Sequence, residues 1–71
     1  MAGSYKVVVL DDVGNPAADQ KVIFNVNGKV ATETSDSNGI ATYNFNLNAG
    51  TYIVTAEYNG LYHSNKITVV K

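Results

Sequence analysis

A histidine stands beside a serine once in this sequence, in Tyr62-His63-Ser64-Asn65. A base next to a hydroxyl is the minimum for nucleophilic catalysis, because serine attacks only when a neighbour takes its proton. His63 is the only histidine and cysteine is absent, so no other stretch offers that chemistry. Yet neighbouring residues on a strand point to opposite faces, and this stretch reads as the start of a strand. His63 is therefore expected to be an exposed histidine, not a general base. Glu33 and Glu57 supply carboxylates, but glycoside chemistry needs such a pair across a cleft, and both are expected on solvent faces of strands. Asp11, Asp12, Asp36 and Asn38 carry the oxygen ligands that calcium prefers. Asp36-Ser37-Asn38-Gly39 looks like a fragment of an EF-hand loop, without the distal glutamate or flanking helices. A β-turn capped by its own side chains accounts for the same residues. No catalytic residue, cofactor or metal site is expected, and the chain reads as not an enzyme.

Five tyrosines remain. Tyr43, Tyr52 and Tyr58 fall on inward registers of strand patterns, as the large apolar residues of a core without tryptophan. Tyr5 and Tyr62 lie near strand ends. Tyrosine offers a rigid amphipathic surface for stacking on sugar or protein, so Asn59, Tyr62 and His63 form the candidate binding patch.

The elements that would hold these residues follow from a period-two alternation broken by turn dipeptides. Tyr5–Leu10 is rich in β-branched residues and stops at Asp11-Asp12, and Val13-Gly14-Asn15-Pro16 follows as a turn. Pro16 cannot donate to a ladder and belongs at a strand edge or entry. Lys21–Val26 is a second strand with Val22, Phe24 and Val26 on one face. Asn27-Gly28 is a strong hairpin signal, since both residues tolerate positive φ. For the next strand, 29–35, the preferred inward set is Val30, Thr32 and Thr34, which keeps Glu33 in water and places the strand in the other sheet. A simple two-residue hairpin would instead put Lys29, Ala31 and Glu33 on the Phe24 face. Asp36-Ser37-Asn38-Gly39 is a turn with Asp first and Gly last. In Ile40–Leu47, Ala41, Tyr43, Phe45 and Leu47 alternate with Thr42, Asn44 and Asn46. Thr51–Tyr58 puts Tyr52, Val54, Ala56 and Tyr58 on one face. Asn59-Gly60 makes another tight turn, and Leu61–Val70 closes the pattern with Ile67 and Val69 inward. Phe24 and Phe45 are both expected in the core. Apolar residues nowhere keep a helical spacing, and nine Asn and six Thr disfavour helix interiors.

These elements predict an all-β fold, an immunoglobulin-like β-sandwich of six to seven antiparallel strands in two sheets. The 71 residues make one domain. Met1-Ala2-Gly3-Ser4 reads as a cloning junction, leaving 5–71 as the domain. A net charge of -1 with no arginine and scattered lysines lacks the basic stripe that nucleic-acid binding needs. No stretch approaches the length of a membrane-spanning helix, so direct membrane insertion is not expected. No signal peptide is visible.

Gly14-Asn15-Pro16 followed by Val22-Ile23-Phe24 resembles the entry of bacterial Ig-like repeats of the invasin and intimin type. Thr34-Ser35-Asp36-Ser37-Asn38-Gly39-Ile40-Ala41 resembles their central turn, and Gly50-Thr51-Tyr52-Ile53-Val54-Thr55-Ala56 their penultimate strand. The closest likeness is to tandem Ig-like repeats of adhesin-like surface proteins of methanogenic archaea. That resemblance implies an extracellular, cell-surface module without catalysis, one of a tandem array. Its partners would be neighbouring Ig-like domains of the same chain, with a glycan or protein ligand as an alternative role for the end loops. The isolated domain is expected to be a monomer. A consensus or engineered Ig-like scaffold is a further alternative. The resemblance also implies that Tyr52 turns its hydroxyl back onto backbone, as a tyrosine corner. The chain is also similar to prealbumin-like surface modules of Gram-positive bacteria, some of which join a lysine to an asparagine. Leu10 stands where their lysine lies, and of Lys6, Asn65 and Glu57, which could in principle meet, Lys6 and Asn65 read as edge or surface, so no crosslink is expected.

Overall fold

Alternation in the sequence becomes six strands: β1 Ala2–Val8, β2 Lys21–Val26, β3 Lys29–Thr34, β4 Ile40–Asn46, β5 Gly50–Tyr58 and β6 Leu61–Val69. The computed structural model describes residues 2–70. All pairings between these strands are antiparallel, in a two-stranded sheet β1-β4 and a four-stranded sheet β3-β2-β5-β6. The smaller sheet lies across part of the larger one, and the core forms between them.

Phe24 is the centre of that core and is fully buried. The Tyr5 ring meets it edge-on at 6.2 Å, and the Tyr43 ring stacks on it at 5.5 Å. These two tyrosines come from β1 and β4, so one phenylalanine of the large sheet is gripped by both strands of the small one. Aromatic pairs in such geometry add to the gain from burial itself. Val22, Val26, Val54, Ala56, Ala41 and Val9 complete the buried cluster. Tyr52, Tyr58 and Ile67 pack against it from the inward registers of β5 and β6.

β3 takes the register that was set aside above. It pairs with β2 in the same sheet, Phe24 opposite Ala31 and Val22 opposite Glu33. Val30 is 62% exposed, whereas Ala31 and Glu33 are half-buried. The turn decides this. Asn27 and Gly28 have φ of 53° and 80°, the left-handed pair of a two-residue hairpin loop whose twist matches its strands. That loop sets Val26 against Lys29, and a side-chain period of two does the rest. Glu33 can face inward because β3 is a sheet edge, where a carboxylate still reaches water.

Phe45 is also displaced from its expected role. It is half-buried and lies outside the central cluster. Its ring covers the backbone of Gly3, where a Cβ would fall 2.7 Å from the ring edge. Ala2, Gly3 and Ser4 are strand residues opposite Asn46, Phe45 and Asn44. Met1 lies outside the described residues.

The loop between β1 and β2 is fixed by a polar knot. Ser35 is 2% exposed. Its hydroxyl donates to the Ala17 carbonyl at 2.7 Å and accepts from the Gln20 amide at 2.9 Å. Gln20 in turn accepts from the Tyr58 hydroxyl at 2.7 Å. One buried serine thus ties the loop before β2 to the end of β3, and no buried side-chain polar atom among the described residues lacks a partner.

Candidate functional site

The residues singled out for chemistry are held by β5, β6 and the turns at one end of the sandwich, and the strand registers decide which of them meet. His63 stands opposite Ala56, and Ser64 opposite Thr55. Directly paired residues share a face, so His63 lies on the inner face with buried Ala56. Ser64 lies on the outer one, its hydroxyl 3.0 Å from that of Thr55. Base and nucleophile are on opposite sides of the sheet. His63 is a residue of strand β6 itself, exposed because the small sheet does not reach over it. Glu57 pairs with Ile23 and Tyr62 on the outer face, while Glu33 pairs with Val22 on the inner face. They do not form a carboxylate pair.

The acidic turns are occupied by their own backbone. The Asp36 carboxylate accepts from the amides of Asn38 and Ile40, both at 2.9 Å. The Asp36 amide donates to the Ile40 carbonyl, and the Gly39 amide to the Asp36 carbonyl, each at 2.9 Å. Asp11 repeats the same plan: its carboxylate accepts from Val13 at 3.1 Å and Asn15 at 2.8 Å, its amide donates to the Asn15 carbonyl, and Gly14 donates to its carbonyl. Both stretches read Asp-x-x-Gly-x, a spacing that could have revealed them as equivalent loops. Among the described residues no cluster of three or more metal-ligating side chains exists.

Gly39 locks the second of these loops against the first strand. Its φ is 76°, and a Cβ there would sit 2.6 Å from the Val9 carbonyl oxygen. The same close approach lets its carbonyl accept from the Val9 amide at 2.7 Å.

Asn65, the asparagine considered for a crosslink, donates its side-chain amide to the Tyr5 hydroxyl. Lys6 follows Tyr5 on β1 and points to the other face, and Glu57 lies across the sheet from Asn65. The three groups do not converge.

What the structure brings together is a cleft of about 600 Å³ between β1 and β6. Each of these strands pairs with one neighbour only, so the cleft runs between two unpaired edges. Val8, Leu10, Leu61, Tyr62 and His63 border it. Leu61 is 73% and Tyr62 69% exposed. Asn59 lies in the β5–β6 turn that leads into Leu61, with φ of 51°, and does not itself line the cleft. Asn59, Tyr62 and His63 thus share one end of the molecule, although Tyr62 and His63 leave β6 on opposite faces. The apolar partners Val8, Leu10 and Leu61 were not singled out from sequence. Nothing in the run Val7-Val8-Val9-Leu10 or in Gly60-Leu61-Tyr62 shows which of these side chains another layer covers.

At the other end, the Tyr52 hydroxyl donates to the Asn48 carbonyl at 2.8 Å, four residues back. The bond ties the β4–β5 loop to the start of β5. β1 begins and β6 ends at this same end, since Ala2 pairs with Asn46 and Val69 with Gly50.

The family described as bacterial Ig-like domain (group 1) matches residues 2–70. Among solved structures, the chain is similar to invasin, described as a bacterial integrin-binding protein, with 26% identity and a TM-score of 0.78. That match covers 100% of this chain and 19% of the invasin chain. Comparison with curated proteins returns no match.

Proposed function

This chain belongs to the bacterial Ig-like domain family, group 1, and on that premise we propose that it is a non-catalytic structural and adhesion module of a cell-surface protein, one of a tandem array. The tandem array rests on the family membership; the observation that carries the display part of this reading is the separation of the two ends. Ala2 and Val69 lie at one end, while the Asp11 and Asp36 loops, the β5–β6 turn and the mouth of the cleft lie at the other. A polypeptide continuing from either terminal strand leaves from the far side and holds the patch away from its attachment. Likeness to invasin, described as a bacterial integrin-binding protein, supports the same reading. So does the condition of the polar groups: the hydroxyls and carboxylates of the kind that do chemistry are engaged in turns and knots, or lie on opposite faces. Neighbouring Ig-like domains are its partners along the chain. Antibodies raised against the folded chain are expected to label intact cells that produce the parent protein. Labelling only after permeabilisation would contradict a surface location.

A second reading rests on the cleft. Exposed Leu61, Tyr62, Val8 and Leu10 gathered beside unpaired strand edges suit a protein ligand that contributes an extended segment, because edge backbone groups supply affinity and flanking side chains supply selectivity. Beads carrying the chain are expected to lose attachment to host cells on L61D or Y62A. Equal attachment by both variants would count against the cleft as the ligand site, and a hit on a glycan array would favour sugar over protein.

A further inference from the structure

Three turns in this chain place glycine directly after asparagine: Asn27-Gly28, Asn38-Gly39 and Asn59-Gly60. Each pair is chemically disposed to the same reaction. The glycine amide nitrogen attacks the asparagine side-chain carbonyl carbon and forms a C–N bond. The bond from that carbon to the side-chain nitrogen breaks, and ammonia leaves with the proton that the glycine nitrogen gave up. Water then opens the five-membered succinimide at either carbonyl, giving aspartate or its backbone-extended isomer. Glycine permits the ring because no Cβ crowds it, so local sequence alone makes the three sites alike.

The fold makes them different. The Gly39 amide donates to the Asp36 carbonyl at 2.9 Å, its carbonyl accepts from Val9, and the residue is buried. The neighbouring Asn38 amide is held by the Asp36 carboxylate. Both sides of that peptide are pinned. The Gly28 amide donates to the Asn25 side-chain oxygen at 3.1 Å, a single exposed bond. In the β5–β6 turn the residue at the position of Asn25 is Glu57, and no hydrogen bond from the Gly60 amide is found among the described residues. Gly28 and Gly60 are both exposed, and a Cβ at either would meet nothing within 4 Å, so the Asn25 bond to the Gly28 amide is what separates the two turns.

We propose that Asn59 is a site of spontaneous, fold-controlled deamidation, converting ahead of Asn27 and well ahead of Asn38. The modification falls in the candidate patch. It adds a carboxylate to the turn that leads into Leu61 and Tyr62, and its isomeric product lengthens the backbone inside a two-residue turn that sets the β5–β6 register. The proposal does not depend on the adhesion reading.

The test is to incubate the folded chain in mildly alkaline buffer and follow each asparagine by peptide mapping with electron-transfer fragmentation, which separates aspartate from its isomer. The expected order is Asn59, then Asn27 several-fold slower, then Asn38 about tenfold slower or more, the factor that corresponds to one retained hydrogen bond. In concentrated urea the three rates are expected to converge. N59Q removes the fastest product and leaves the other two rates unchanged. Asn27 or Asn38 matching Asn59 in the folded chain would overturn the proposal. So would the folded ordering persisting in urea, or no conversion of Asn59 in the folded chain while urea converts it.

Discussion

The inner face of the four-stranded sheet has two halves with opposite characters. Under β1 and β4, the positions of β2 and β5 are Val22, Phe24, Val26, Val54 and Ala56, all buried. One strand further, the same face of the first part of β6 carries Leu61, His63 and Asn65, all exposed, whereas Ile67 and Val69 near its end are half-buried and buried. Backbone pairing is continuous across both halves, since β6 pairs with β5 along its whole length. What differs is the layer above. A two-stranded sheet cannot cover four strands, so packing holds one half and the other is left as a cleft wall. The fold therefore draws its stability from one half of the face and leaves an open cleft beside the other.

The largest effect that would sharpen this contrast is at Phe24. Phe24→Ala should cost about 3–5 kcal/mol in urea or thermal unfolding, enough to unfold much of so small a domain. Phe45→Ala should cost clearly less, because Phe45 covers Gly3 at the margin. Equal losses would show that the core extends evenly to both ends. Ser35→Ala comes next: it strips the Ala17 carbonyl and the Gln20 amide of their buried partner, at about 1–3 kcal/mol. No loss in its melting transition would mean that water replaces the hydroxyl. Tyr52→Phe should cost about 1 kcal/mol through its bond to Asn48, read from the urea midpoint. His63→Ala should stay within about 0.5 kcal/mol of the parent. A larger loss there would make the open half part of the supporting structure and erase the comparison.

Much of the covered half was legible from alternation alone. Val22-x-Phe24-x-Val26 and Val54-x-Ala56 are buried where a period of two puts them, because apolar side chains on one pleated face have no other place to go. The tight turns were legible from Asn-Gly dipeptides. β3 departs from its expected register because turn geometry outweighs the preference of a charge for water. Keeping Glu33 in water favoured one register, but a two-residue loop permits only the other, and an edge strand can hold a half-buried carboxylate. Ser35 gave no signal, since a buried serine is recognised by partners 15 and 18 residues away in sequence. Of the residues that line the cleft, Tyr62 and His63 stand out by residue type in the sequence. Val8, Leu10 and Leu61 look like ordinary strand residues until the number of strands in each sheet is known.

Native-state hydrogen exchange tests the division between the two halves most directly. Amides of β2 and β5, strands paired on both sides, are expected to exchange only with global unfolding. Along β1 and β6, slow and fast amides should alternate, since every second N–H points away from the sole partner strand. Uniformly slow exchange along β1 and β6 would show that those edges are already covered, and that the cleft is not an open surface.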